Sequence, residues 1–320
     1  MKLQTTIPLK KSDNQIDYDS NVLLIGSCFA QNIGRKLDYF KFPIVQNPFG
    51  ILFNPVAIEN VIANAISGVD YTEDDIFEHQ GLWHCFDAHS SISSDTKEST
   101  LNNLNAALGL MRKQLSKASH IVITLGTSWV YQLKQTDHIV ANCHKIPQSE
   151  FDKRLLSVEE VIKCLMTIFK LIRHVNKNVA IIYTVSPVRH LKDGFVENTI
   201  SKSHLITGLH QTLSFKNRPT GLSYFPSYEL MIDELRDYRF YDRDMLHPND
   251  LAIEYIWERF QQVFISQNSF PVMKEIDQIQ KGLLHRPFNQ NGEQHQLFLE
   301  RLKQRIGTLQ KTYPAIRFND

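Results

Sequence analysis

The chain has 320 residues, of which 42% are hydrophobic, and its 35 basic side chains nearly cancel 34 acidic ones. This balance gives no electrostatic footprint for nucleic acid or for an anionic membrane surface, so we expect neither as a partner. The first residues lack the apolar core of a signal peptide, and no apolar run is long enough to span a membrane. We therefore expect a cytoplasmic protein.

The first predicted element is a buried strand, the apolar residues 22–25, which Gly26 ends. Apolar residues then recur at helical spacing through Leu37, which predicts an amphipathic helix. Ser27 and Cys28 fall at its N-terminus, where unpaired N–H groups and the helix dipole favour a developing negative charge. Two interpretations remain open: one of them is a nucleophile, or Ser27 caps the helix and Cys28 packs beneath it.

Three further apolar runs predict strands, at residues 121–126, 179–185 and 222–225, with amphipathic helices between them. Buried strands that alternate with such helices predict an α/β fold with a mostly parallel sheet and helices on both faces. Ligand sites in these folds lie beyond the carboxyl ends of the strands.

Residues 1–266 are predicted to form this main domain, with polar excursions at about 68–100 and 128–156. Two narrow apolar stripes in residues 267–320 predict a helical C-terminal extension. We expect it to pack on the core or to form a homodimer. The cysteines lie far apart and form no CxxC pair, which indicates free thiols: Cys28, Cys85, Cys143 and Cys164.

Asp244 and His247 lie three residues apart in DMLHP, a predicted loop that follows the last strand. This spacing lets the aspartate orient the imidazole, as a base in acyl transfer requires. The loop lies at the same sheet edge as the turn after the first strand, so His247 can meet Cys28 or Ser27. No GxGxxG or Walker sequence is present, and no cofactor is expected.

With these features the chain resembles the SGNH/GDSL hydrolase superfamily, and GSCFA, residues 26–30, matches the motif that names the GSCFA family within it. The stretches TLGTSWVY, NCHKIP, TVSPVRH and PSYELMIDELRDYRFY also look like that family. The resemblance covers about residues 21–265. It implies a flavodoxin-like three-layer α/β/α fold.

The resemblance also implies roles for residues at matching positions. His247 would be the base and Asp244 its orienting carboxylate, while Gly50 and Gly126 would help to form an oxyanion hole. In the superfamily, the first sequence block, which follows the first strand, reads Gly-Asp-Ser. A match without a gap therefore places Cys28 at the position of the nucleophile, whereas a shifted turn would place Ser27 there. We favour Cys28, because a helix N-terminus lowers the pKa of a thiol.

The third block of the superfamily, Gly-x-Asn-Asp, is altered here. Ser128 holds the place of the asparagine and Trp129 that of the aspartate. Two side chains are therefore candidates for the oxyanion donor, Ser128 and Asn142.

A dense polar patch, EHQGLWHCFDAHS, has no established metal-ligand spacing, so no metal site is predicted. We expect it to be a loop that faces substrate. Three tryptophans, Trp83, Trp129 and Trp257, are candidates for stacking on sugar rings, although Trp257 is expected in the core. The predicted substrate contacts are His84, His89, Trp129, His144 and Arg189.

The sequence therefore predicts an esterase that removes O-acyl groups from a carbohydrate-like substrate. Two alternatives remain. One is an O-acetyltransferase that passes the acyl group to a sugar or polysaccharide hydroxyl. The other is a carbohydrate-binding protein that keeps the fold without catalysis.

Overall fold

The computed structural model describes residues 4–214, 220–289 and 292–318, so the outer ends of the two predicted domains lie outside them. In chain order the strands are β1 (Val22–Gly26), β2 (Ile44–Gln46), β3 (Phe77–His79), β4 (Leu82–His84), β5 (His120–Leu125), β6 (Trp129–Leu133), β7 (Ile139–Val140), β8 (Phe151–Leu155), β9 (Ala180–Val185) and β10 (Leu222–Phe225). The α-helices are α1 (Cys28–Tyr39), α2 (Pro55–Ser67), α3 (Lys97–Lys117), α4 (Val158–Val175), α5 (Phe195–Ser214), α6 (Ser227–Glu229), α7 (Asp250–Phe264), α8 (Phe270–Leu283) and α9 (Glu293–Thr312).

The main sheet is parallel, with strand order β10-β9-β5-β1-β2. Numbered along the chain within this sheet alone, the order is 2-1-3-4-5, the flavodoxin-like arrangement. The predicted α/β fold is thus confirmed. The strand order reverses between β1 and β5, and the crevice beyond their carboxyl ends is the usual ligand site of such folds.

The sheet is covered on both faces because alternate side chains of each strand point in opposite directions. Leu23 and Ile25 of β1 belong to one buried cluster, together with apolar side chains of α2, α3, α4 and α5. Val22 and Leu24 belong to a second cluster, together with α1 and α7. The result is a three-layer α/β/α core.

Helix starts follow the local sequence. Asn54 caps α2, since its Oδ1 accepts the N–H of Ala57 at 2.8 Å, and a proline occupies the first helical position. Ser157 and Glu160 form a capping box at the start of α4, as their spacing predicts.

The two polar excursions contain small antiparallel sheets. Strands β3 and β4 form a hairpin, and β7, β6 and β8 form a three-stranded sheet in that order. Both lie outside the parallel sheet.

The C-terminal helices pack against each other and against α1. Ile276 and Leu302 bury their side chains in a third cluster, and the Tyr39 hydroxyl at the end of α1 donates to Asp277 Oδ1 at 2.9 Å. Dimerisation through these helices stays a prediction. No helix within the described residues is long and apolar enough to cross a membrane.

The backbone of β5 leaves no room for a side chain at Gly26. Its φ is +132°, and a Cβ at this position would lie 2.1 Å from the Thr124 carbonyl oxygen of β5. Both the backbone conformation and the space therefore require glycine.

We predict that Gly26→Ala lowers the free energy of unfolding by more than about 2 kcal/mol, since both strands would have to move apart. Gly109→Ala is the matched control, because Gly109 lies exposed in α3 and its Cβ would meet no atom within 4 Å. That change should raise stability by about 0.5–1 kcal/mol through helix propensity. Urea denaturation of both variants checks the pair, and equal midpoints would contradict the prediction.

Candidate active site

The turn after β1 presents two side chains in different environments. Ser27 is the N-cap residue of α1, but its side chain makes no capping hydrogen bond. It is fully buried, and its Oγ has no hydrogen-bond partner among the described residues. Cys28, the first residue of the helix, is half-buried. Of the two candidate nucleophiles, Cys28 is partly exposed and Ser27 is not.

The Cys28 thiol experiences opposing influences. Burial raises its pKa, and this effect outweighs the rest. The Lys202 ammonium and the backbone N–H groups of Phe29 and Cys28 lower its pKa. These N–H groups belong to the first helical turn, which has no intrahelical acceptors for them. They can therefore stabilise a negative charge on sulfur or on a bound oxyanion.

The Asp244–His247 pair forms as its spacing predicts. Asp244 Oδ2 lies 2.6 Å from His247 Nδ1. Asp244 Oδ1 accepts the backbone N–H groups of Leu246 at 2.9 Å and His247 at 3.0 Å. The bonds from these backbone groups, and then that from the imidazole, lower the pKa of Asp244 to about 2. An ionised carboxylate can only accept, so Nδ1 carries the proton and Nε2 is left as an acceptor.

This pair docks against the loop that follows β9. The N–H of Arg189 donates to the Leu246 carbonyl oxygen at 3.4 Å. The neighbouring His190 interacts electrostatically with His247 and with Lys202. Burial, followed by the electrostatic influence of Lys202 and of His247, lowers the pKa of His190 to about 3, so its ring is neutral near pH 7.

Lys202 is the site residue that sequence reasoning missed. It is 1% exposed, and its Nζ donates to the carbonyl oxygens of Gly126 at 2.7 Å and Ser186 at 2.8 Å. These two residues follow β5 and β9 directly. A signal existed in the sequence: Lys202 lies on the face of α5 that buries Leu205 and Leu209. A lysine on the apolar face of a helix is unusual unless its charge is used.

The predicted oxyanion donors are engaged elsewhere. The N–H of Gly50 donates to the Asn47 carbonyl oxygen at 2.8 Å, and that of Gly126 donates to the Phe53 carbonyl oxygen at 2.7 Å. Ser128 Oγ is fully buried and donates to the Ser201 carbonyl oxygen at 3.0 Å. This arrangement does not offer any of the three donors to an oxyanion.

Asn142 also has local partners. Its Oδ1 accepts the N–H of His144 at 2.8 Å, and its Nδ2 lies 3.4 Å from Ser90 Oγ. Asn142 shapes the NCHK turn in this structure, so the first-turn amides of α1 remain as the donors near Cys28.

Two of the predicted substrate histidines are structural. His84 is buried, with ring nitrogens 2.7 Å from Ser93 Oγ and 3.2 Å from the His79 carbonyl oxygen. His144 is buried too, with Nε2 2.8 Å from the Cys85 carbonyl oxygen. Burial lowers the pKa of His144 to about 4. The two rings, 4.5 Å apart, join the β3–β4 hairpin to the NCHK turn rather than facing a substrate.

The other predicted contacts lie nearer the sheet edge. His89 is half-buried beside Gly50, and its N–H donates to the Phe49 carbonyl oxygen at 2.9 Å. The Arg189 guanidinium lies 5.8 Å from the Tyr241 ring, and both residues line a cavity of about 170 Å³. His89 and Arg189 are the two that stay candidates for substrate binding.

The tryptophans are not free platforms for sugar rings. Lys153 Nζ lies over the Trp129 ring at 4.8 Å, and Lys97 Nζ lies over the Trp83 ring at 4.9 Å. Trp257 is fully buried, as expected of a core residue. Across residues 4–214, 220–289 and 292–318, no group of three or more His, Cys, Asp or Glu side chains is arranged to hold a metal ion.

The GSCFA family model matches residues 21–260, and a model described as the C-terminal domain of GSCFA domain proteins matches residues 276–320. The chain belongs to the GSCFA family. No curated protein matches it.

Two solved structures are similar to this GSCFA protein. One is an acetyl esterase mutant with acetate ion, with a TM-score of 0.30, 11% identity, and coverage of 81% of this chain and 99% of that one. The other is an acetyl xylan esterase from the rumen bacterium Butyrivibrio proteoclasticus, with a TM-score of 0.32, 12% identity, and coverage of 87% and 66%.

The five residues of the GSCFA motif have distinct roles in this structure. Gly26 allows the close approach of β5, and Ser27 turns the chain from strand to helix. Cys28 is the first residue of α1 and is half-buried. Phe29 and Ala30 are fully buried and hold the first turn of α1 against the core. The motif therefore places one thiol at a helix N-terminus and anchors it from both sides.

We predict that carboxyl NMR finds the titration midpoint of Asp244 near pH 2. His247→Ala should raise that midpoint only in part, because the two backbone N–H bonds to Asp244 do not need the imidazole. Because this pKa lies below the ordinary value of about 3.9, the ionised Asp244 carboxylate stabilises the loop above roughly pH 4. This stabilisation is lost as the pH falls through about 2. A midpoint near 4 in the wild-type protein would show that these bonds do not form.

Proposed function

We propose that this GSCFA protein is an esterase of the SGNH type that forms an acyl-enzyme on Cys28. The observation that carries the proposal is the 2.6 Å contact between Asp244 Oδ2 and His247 Nδ1. It fixes the imidazole with Nε2 as the proton acceptor, on a loop at the same sheet edge as the thiol. The order of groups along the chain, nucleophile first and Asp-x-x-His last, also fits that superfamily.

Cys28 is favoured over Ser27 as the nucleophile by exposure and by charge. Ser27 Oγ is buried and has no base within hydrogen-bond distance among the described residues. The Cys28 thiol is half-buried and lies at the start of α1, and the Lys202 ammonium lowers its pKa by favouring the thiolate. A thiolate in this position is a competent nucleophile for an ester carbonyl.

The reaction would proceed in two steps. Sulfur attacks the carbonyl carbon, the oxyanion accepts N–H groups of the first turn of α1, and the C–O bond breaks as the alcohol leaves. His247 Nε2 takes the thiol proton and passes it to that alcohol. Water then attacks the thioester while His247 Nε2 takes a proton from it. The C–S bond breaks, the acid is released, and His247 returns the proton to the sulfur.

Hydrolysis is favoured over transfer to a second alcohol. The side chains of Asp244 and His247 are each 47% exposed, so water reaches the base. An acyltransferase needs to exclude water from its thioester. Small O-acetyl esters, including acetylated sugars, are the first substrates to test, since the edge is open and polar. The cations over Trp83 and Trp129 weigh against a protein that only stacks on sugars.

We predict that brief exposure to p-nitrophenyl acetate adds one acetyl group to the wild-type protein, seen by intact mass. Cys28→Ala should carry no adduct at residue 28, and Ser27→Ala should retain it. His247→Ala should lower kcat by about 10²- to 10⁴-fold, the usual contribution of a positioned base. Peptide mapping locates the acetyl group.

Cys143→Ala is the matched control, because it removes another half-buried thiol that has no such helix terminus. Its adduct and turnover should equal those of the wild type. An adduct that survives Cys28→Ala and vanishes in Ser27→Ala would assign the nucleophile to the serine. No adduct and no ester turnover in any variant would contradict the esterase and favour the non-catalytic alternative.

A further inference from the structure

Lys202 lies beneath the carboxyl edge of the parallel sheet. It projects from α5, is almost completely buried and donates to the carbonyl oxygens that directly follow β5 and β9, those of Gly126 and Ser186. The next strand in the sheet is β1, whose turn carries Cys28. The ammonium is therefore held by backbone groups of two central strands beside the start of α1.

No carboxylate within the described residues forms an ion pair with this ammonium. The titratable groups that interact with it come from three elements: Cys28 of α1, His190 after β9 and the Tyr228 ring of α6, 5.8 Å from Nζ. Burial keeps His190 neutral by lowering its pKa, and burial raises the pKa of Tyr228 so that its phenol also stays neutral. Cys28 alone can supply a compensating negative charge.

The hydrogen-bond count at Nζ fits an ammonium with one N–H left for a further acceptor. A neutral amine has two N–H donors and a lone pair, whereas an ammonium has three donors. The two carbonyl oxygens accept two N–H groups in either state. What remains is a lone pair when Lys202 is neutral, or a third N–H when it is charged.

We propose that the Lys202 ammonium is the counter-ion of the Cys28 thiolate, so that the two side chains form a Cys–Lys pair in which each charge stabilises the other. The thiol proton passes to His247 Nε2, and Lys202 keeps its own proton. This inference deepens the proposed function and rests on Cys28 as its nucleophile.

Burial makes each of the two charges depend on the other. It lowers the pKa of Lys202 to about 7 and raises that of Cys28, while their mutual attraction opposes both changes. A lone ammonium or a lone thiolate is disfavoured in this environment, so each charge is most stable when the other is present. His247 remains the group that carries the proton in the alcohol and water steps.

The test is the pH dependence of Cys28 alkylation by iodoacetamide, followed by peptide mass spectrometry on the intact chain. Lys202→Met keeps the aliphatic stem and removes the amine. We expect the apparent pKa of Cys28 to rise by at least one unit, which slows alkylation at pH 7 by roughly tenfold or more. Cys143 in the same samples is the internal control, and its profile should not move. An unchanged Cys28 profile in a folded Lys202→Met protein would overturn the proposal.

Because Lys202→Met leaves two buried carbonyl groups without donors, a second measurement keeps the natural lysine. In protein labelled at lysine Cε, NMR should show one lysine that titrates near pH 7, and Cys28→Ala should lower that midpoint by removing the thiolate. A midpoint that ignores Cys28→Ala would contradict the pair. If Lys202→Met shifts the alkylation profile of Cys28 but no acetyl adduct forms, the Cys–Lys pair is supported and the esterase is contradicted. If the protein hydrolyses esters but the profile does not shift, the esterase is supported and the pair is contradicted.

Discussion

The contact between Gly26 and the Thr124 carbonyl oxygen is the constraint on which the site depends. A missing side chain lets β1 and β5 approach at their carboxyl ends, just where the strand order of the sheet reverses. The chain must then turn at once into α1, with Ser27 buried and Cys28 half-buried. The position of the thiol at a helix N-terminus follows from that close approach.

Local patterns in the sequence predicted the fold and part of the candidate site. Short apolar runs ended by glycine or proline predicted β1, β5 and β9, because a strand buried on both faces leaves little room for polar residues. Asp244 and His247 were predictable since a three-residue spacing acts within one loop. The thiol was predictable as a helix-start residue, although only burial distinguishes it from Ser27.

The parts that escaped prediction depend on tertiary contacts. Lys202 belongs to a helix with an ordinary sequence, and its place at the candidate site arises only because α5 brings it to the ends of two strands. Gly50 and Gly126 match a motif, but their N–H groups form turns with Asn47 and Phe53. His84 was expected in a loop facing substrate, whereas its ring fills the space beneath a hairpin.

The far end of α1 is secured by the C-terminal helices. Tyr39 donates through its hydroxyl to Asp277, and its carbonyl oxygen accepts a hydrogen bond from Gln280 at 3.2 Å. The helix that carries the thiol is therefore clamped at both ends, by a strand turn at one and by α8 at the other. A tilt of α8 would therefore be transmitted along α1 to the thiol, which lies about 18 Å away at the other end of this twelve-residue helix.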